Sequence, residues 1–156
     1  MVVASAEARV RELALVIPAA PTPFGAYVEA VRAGSLLFLS GMLPVVGHVP
    51  LYTGLVGKDL SVAQGYEAAR TACLSGLAAA RSHLGSLDRI RSIAKLGVYI
   101  ACPSDFHEHP KVADGASELL LDIFGAARLP PRIVLGVSSI PLGMPVEIEL
   151  VCEIES

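Results

Sequence analysis

Val146-Glu147-Ile148-Glu149-Leu150-Val151-Cys152-Glu153-Ile154 is the stretch whose pattern decides the fold. Strict period two sends Val146, Ile148, Leu150, Cys152 and Ile154 to one side of a strand, and Glu147, Glu149, Val151 and Glu153 to the other. So regular an apolar side has to be buried against helices. Upstream, Arg132 to Val137 has the same alternation, with Ile133, Leu135 and Val137 facing one way and Arg132, Val134 and Gly136 the other. Arg132 is therefore expected to share the helix-free face with the glutamates. A guanidinium grips a carboxylate with two hydrogen bonds, and a glutamate can orient or deprotonate water, so this face is a candidate site. The same residues equally describe a solvated strand face with Arg132 as an ion-pair partner.

Working outward, Ile90 to Ile100 is apolar on both sides, as expected of a central strand covered on two faces. Ser61 to Leu84 changes period: Ser61 and Gln64 form a capping box, Tyr66, Ala69, Cys73, Leu77, Ala80 and Leu84 repeat at three and four residues, and Gly85 ends the helix. A second helix is expected from Pro110 to Phe124, stopped by Gly125. Tyr27 to Arg32 and Ser35 to Ser40 flank Ala33-Gly34 as a hairpin. The order of two strands, helix, strand, helix, two strands predicts an α+β fold, a mixed β-sheet with two helices packed on one face. Ser5 to Leu15 reads as a short helix capped by Ser5, followed by a stiff connector at Pro18, Pro21 and Pro23. Residues 1–23 are thus an appendage to a domain at 24–156.

A chain of 156 residues has the length of one domain. Only 17% of it is charged and 53% is hydrophobic, too little charge to cover the whole surface, so part of that surface is expected to meet another copy. Twelve Lys and Arg against fifteen Asp and Glu, with no basic run, speak against a nucleic-acid partner. Cys73, Cys102 and Cys152 are odd in number and set in apolar runs, as in a cytoplasmic protein with reduced thiols. The N-terminus carries Glu7, Arg9, Arg11 and Glu12 and lacks the apolar run of a signal peptide. Residues 33–57 carry no Asp, Glu, Lys or Arg, but Pro44, Pro50 and several glycines turn them into strands and turns, with no membrane span expected.

Other constellations are weaker. Asp105, His107, Glu108 and His109 invite a metal, yet side chains two apart on a helix do not converge, and no metal is expected. Cys102 and His109 have the residue types of a nucleophile and its base, whereas a cysteine in an apolar strand is ordinarily inert packing. Tyr66 and Phe106 read as core or cleft lining, and His48 and His83 as surface.

Gly25-Ala26-Tyr27, Ser40-Gly41, Gly54, Ala68-Ala69, Val98-Tyr99, Asp105-Phe106, Pro131-Arg132 and Val146-Glu147-Ile148-Glu149 follow one another in an order that resembles the RidA/YjgF family, also named endoribonuclease L-PSP-like. The segment Pro110 to Leu120 resembles a longer branch of it. The resemblance implies a chorismate-mutase-like protomer assembled as a homotrimer, with clefts between subunits where reactive enamines and imines are hydrolysed to 2-keto acids and ammonia without a cofactor. It implies that Arg132 binds a small-molecule carboxylate, that Glu147 orients water, and that Tyr27, Gly41 and Phe106 line the substrate-binding cleft. Three positions depart from the deaminase pattern: Pro110 stands in place of asparagine, Val134 of cysteine, and Met42 of glutamine. They leave a second reading, a non-catalytic trimer of the same fold that binds small carboxylates.

Overall fold

The computed structural model describes residues 4–156. Helix α1 (Ala6–Glu12) is followed by strands β1 (Ala30–Ala33), β2 (Leu36–Leu39), β3 (Val45–Val46) and β4 (Val49–Pro50). Then come α2 (Val62–Leu84), β5 (Ile90–Ala101), α3 (His109–Phe124), β6 (Arg132–Val137) and β7 (Val146–Ile154). The main sheet has the order β1-β2-β7-β5-β6, with β5 and β6 parallel and the other neighbours antiparallel. Both long helices lie on one face, the expected α+β arrangement. Among the described residues no helix is long and apolar enough to cross a membrane.

Local chemistry sets the helix ends. The Ser61 hydroxyl accepts the Gln64 N–H (3.1 Å), the Gln64 side chain accepts the Ser61 N–H (2.9 Å), and Gly85 closes α2 at φ 85°. Gly47 and His48, both at positive φ, make the tight turn between β3 and β4. Helix α1 is shorter than its expected reach to Leu15. Ala14 takes the left-handed conformation at φ 51°, and the Leu15 N–H turns back to the Val10 carbonyl, a helix stop usually signalled by glycine. Nor does α1 stand apart: Ala6 and Val10 are buried in the main core, while Glu7 receives Arg81 Nη2 (2.8 Å) and the Leu87 N–H (3.0 Å).

The core lies between the helices and the sheet. Val146, Ile148, Leu150, Cys152 and Ile154 all face it, as the alternation of β7 requires. Small residues let the layers approach: a Cβ on Gly76 would touch the Leu150 side chain at 3.0 Å, and one on Gly115 of α3 would lie 2.1 Å from the Tyr66 carbonyl oxygen of α2.

The expected facing of β6 is corrected. Arg132, Val134 and Gly136 stand in register with Leu96, Val98 and Ile100, which are fully buried beneath the helices, so this parity is the helix side. Ile133 and Leu135 instead lie on the open face, each 46% exposed. Because β6 is an edge strand, apolar on both parities, its pattern does not tell which side meets the helices; the parallel register with β5 does. Strand β5 is likewise covered on one face only within the chain, for Arg91, Ala94 and Lys95 are exposed.

Gly115→Ala should destabilise the fold by about 3 kcal/mol, because the added methyl meets backbone rather than a movable side chain. The denaturant midpoint measures this, with Gly25→Ala as a comparison whose methyl meets only the Tyr27 ring, at an ordinary 3.7 Å.

Candidate functional site

The N-terminal half of β7 carries Glu147 on the open face, in register with Tyr99 of β5. Residues 40–42 run alongside it because Met42 and Ile148 exchange both backbone hydrogen bonds, 2.8 and 2.9 Å. This brings Gly41 directly over the Glu147 carboxylate: a Cβ at residue 41 would lie 2.1 Å from Oε1. The glycine is there for space, since its φ is not positive.

Tyr27 is set by a compact loop. Its hydroxyl accepts the Phe24 N–H (3.0 Å), and the Ser40 hydroxyl donates to the Val28 carbonyl (2.6 Å), tying the loop to the Ser40-Gly41 segment. Two cavities of about 450 Å³ each meet at Gly41 and Glu147. One is walled by Phe24, Tyr27, Ser40 and Leu142, the other by Tyr99, Val137, Ser139 and Glu149. Ser139 and Leu142 are lining residues that sequence reasoning did not single out, and Tyr99, quoted above only for the resemblance, lines the cavity as well. Leu142 holds a left-handed conformation at φ 61° and is 62% exposed, an apolar side chain kept at a cavity mouth at a cost in backbone energy.

The two glutamates that flank Ile148 are electrically unlike. Glu149 accepts from Lys95 Nζ (3.1 Å) and from the Tyr99 hydroxyl (2.9 Å), and that hydrogen bond to a carboxylate pushes the Tyr99 phenol above its usual range. Glu147 has no side-chain partner among the described residues, and burial pushes its carboxyl above the ordinary value. An unpaired, partly desolvated carboxylate at the shared wall of two cavities is equipped to hold or take a proton from water.

Tyr27, Gly41 and Glu147 are thus brought together, while Arg132 and Phe106 are not. Arg132 lies on the helix side, where Nη1 donates to Asp114 Oδ1 (2.8 Å) and Ser117 Oγ (2.9 Å) of α3. Within one chain it is separated from Glu147 by the sheet, about 10 Å along the strands and two strand spacings across. The expectation that Arg132 shares a face with the glutamates is corrected accordingly. Phe106 is buried beside Gly57 and packs edge-on against the His109 ring, 5.0 Å between centroids. Of the three departures from the deaminase pattern, Pro110 sits in the first turn of α3, Val134 packs against the core, and Met42 is buried beneath the cleft. Among the described residues no three His, Cys, Asp or Glu side chains gather as a metal site. Cys102 and His109, by contrast, do meet, with Sγ and Nε2 3.4 Å apart.

A family model described as "YjgF/chorismate_mutase-like, putative endoribonuclease" matches residues 7–154. The chain belongs to the YjgF/RidA family. Similar proteins include protein TCP17 of Trypanosoma cruzi, 35% identical with 96% of this chain and 94% of that protein covered. The crystal structure of an endoribonuclease-like protein from Shewanella oneidensis superposes with a TM-score of 0.92 at 34% identity, covering 97% of this chain and all of the other. A 2-iminobutanoate/2-iminopropanoate deaminase of Dermatophagoides farinae is 26% identical over 88% of this chain and 93% of its own length. The sheet with helices on one face is the chorismate-mutase-like fold of the family.

Burial makes folded Glu147 hold its proton more tightly than the unfolded chain does. That contribution to stability is complete below the ordinary carboxylate value and is lost as the pH rises through the higher folded value. Glu147→Gln is therefore expected to melt above the wild type at pH 7, with the difference shrinking toward zero as the pH is lowered past the ordinary carboxylate range. Thermal unfolding over a pH series measures it.

Proposed function

We propose that the protein hydrolyses reactive enamine and imine intermediates to 2-keto acids and ammonia, in a cleft completed by a neighbouring copy of the chain. The observation that carries this reading is the Glu147 carboxylate: unpaired, partly desolvated, with Gly41 vacating the space beside it, while Glu149 two residues on is engaged by Lys95 and Tyr99. The family includes imine deaminases, as the name of the Dermatophagoides farinae relative says.

The chemistry asks for little. Ionised Glu147 takes a proton from water as the water oxygen bonds to the imine carbon, the C=N π electrons move to nitrogen, and Glu147 returns the proton there. In the carbinolamine the hydroxyl proton passes by the same carboxylate to the amino group, which leaves as ammonia as the C–N bond breaks and the keto C=O forms. An enamine first gains a proton at its β-carbon. Arg132 supplies the carboxylate grip, and because it lies behind the sheet of its own protomer, the Arg132 near a given Glu147 has to come from another copy. Val31, Phe38, Ile133 and Leu135 on the open face are each between 44% and 52% exposed, apolar area of the kind a partner covers. A homotrimer places such faces against one another. A second reading, a non-catalytic carboxylate-binding trimer, is favoured by Arg132 being already engaged by Asp114 and by Val134 and Pro110 serving as packing.

The test is release of 2-ketobutyrate when the purified protein is added to a threonine dehydratase reaction. Glu147→Gln should lower kcat by about 10²- to 10⁴-fold with little change in KM, and Glu149→Gln should be nearly silent. Arg132→Lys keeps the charge but loses the fork, so KM should rise by roughly one to two orders of magnitude with the assembly intact. Light scattering should give three times the 16.2 kDa of one chain. A monomer overturns the shared cleft, and saturable 2-ketobutyrate binding without acceleration replaces the enzyme with the binding protein.

A further inference from the structure

Cys102 follows the last residue of β5, and His109 opens α3 seven residues beyond it. The turn between them folds the chain back so that Sγ and Nε2 stand 3.4 Å apart. The imidazole is held from the side by the edge-to-face Phe106 ring. Gly136 of β6 makes the meeting possible: a Cβ there would fall 2.5 Å from His109 Nε2 and 2.8 Å from Cys102 Sγ. Its φ is not positive, so the glycine, unfavourable in a strand interior, is accounted for by the room this pair needs. A cavity of about 340 Å³ opens on the pair, lined also by Ser104, Phe106 and Ser138. It lies on the helix side of the sheet and shares only Val137 with the cavities at Glu147.

We infer that Cys102 and His109 form a second reactive centre, in which the thiol adds to small α,β-unsaturated carbonyl compounds with the imidazole as its base. The Cys102 sulfur bonds to the β-carbon, and the π electrons of the alkene move toward the carbonyl. The thiol proton passes to His109 Nε2 and from there to the α-carbon, leaving a saturated thioether and neutral imidazole. No oxidant or metal enters the balance. Ser104 and Ser138 are the hydroxyls in the cavity available to the carbonyl oxygen. Burial raises the thiol, so it waits as S–H and needs a base, and His109 Nε2, 3.4 Å away, is the group in reach to serve as one. The other charged and titratable groups nearby are Asp105 and His107 of the turn and the Glu108–Lys111 ion pair on the first turn of α3, while residues 133–139 of the β6 side carry none. Cys73 and Cys152 are fully buried and pushed up to about 12, whereas Cys102, itself largely buried at 9% exposure, lines a cavity and is the thiol a small molecule can reach through it.

N-Ethylmaleimide, itself an unsaturated carbonyl compound, is the probe. The native protein should take one label, on Cys102 by peptide mass spectrometry, and Cys102→Ser should remove it. The labelling rate should level off with pH once the imidazole is neutral instead of climbing tenfold per unit as an unassisted thiol does. His109→Gln should slow native labelling at least fivefold at pH 7 and restore the tenfold climb, while in urea the two proteins react alike. Glu147→Gln should leave labelling unchanged, so this centre stands or falls apart from the cleft reaction. An unlabelled Cys102 in the native wild type, or a wild-type rate that climbs tenfold per unit throughout, overturns the proposal even if His109→Gln fails to fold, and so does a folded His109→Gln that labels within fivefold of the wild type.

Discussion

Strand β7 is hydrogen-bonded on both sides, by β2 and β5, and covered by α2 on one face only. That asymmetry is the constraint from which the rest follows. The covered face has to be apolar at every second position, and it is, from Val146 to Ile154. The other face is left free to carry carboxylates, and the backbone pairing of Met42 with Ile148 then brings a second strand end across the first of them. The site is built where a well-paired strand emerges from the helix layer, so its carboxylate is carried by a rigid element and not by a loop.

Within that frame, neighbouring groups of one kind acquire opposite characters. Glu147 and Glu149 share a strand, a face and a residue type; one is met by an ammonium and a phenol, the other by apolar walls and a glycine. The difference is set by what stands across the sheet, Lys95 and Tyr99, and not by the strand's own sequence. Burying an unpaired carboxylate costs stability, and such a cost is ordinarily retained only where the group does chemistry.

Much of this architecture was legible because it is encoded locally. The Ser61–Gln64 capping box, the Gly85 and Gly125 stops and the alternation of β7 each depend on residues a few positions apart, and the elements they mark lie where the pattern puts them. What was illegible depends on distant partners. Strand β6 is apolar on both parities, and only its register with β5 decides that Arg132 looks toward α3. The stop of α1 uses an alanine where a glycine would have announced it. Cys102 and His109 look like packing and a helix start until Gly136, some thirty residues away, is placed between them.

Chain order and sheet order disagree in one respect that matters while the protein is being made. The strand at the centre of the sheet, β7, is the last of the seven to be synthesised, and it slots between β2 and β5. Until it arrives, the flanking strands have unsatisfied edges and the underside of α2 lacks Ile148 and Leu150 to rest on. Closure of the sheet is therefore a late, long-range event, and until it happens two strand edges stand open to pairing with other chains.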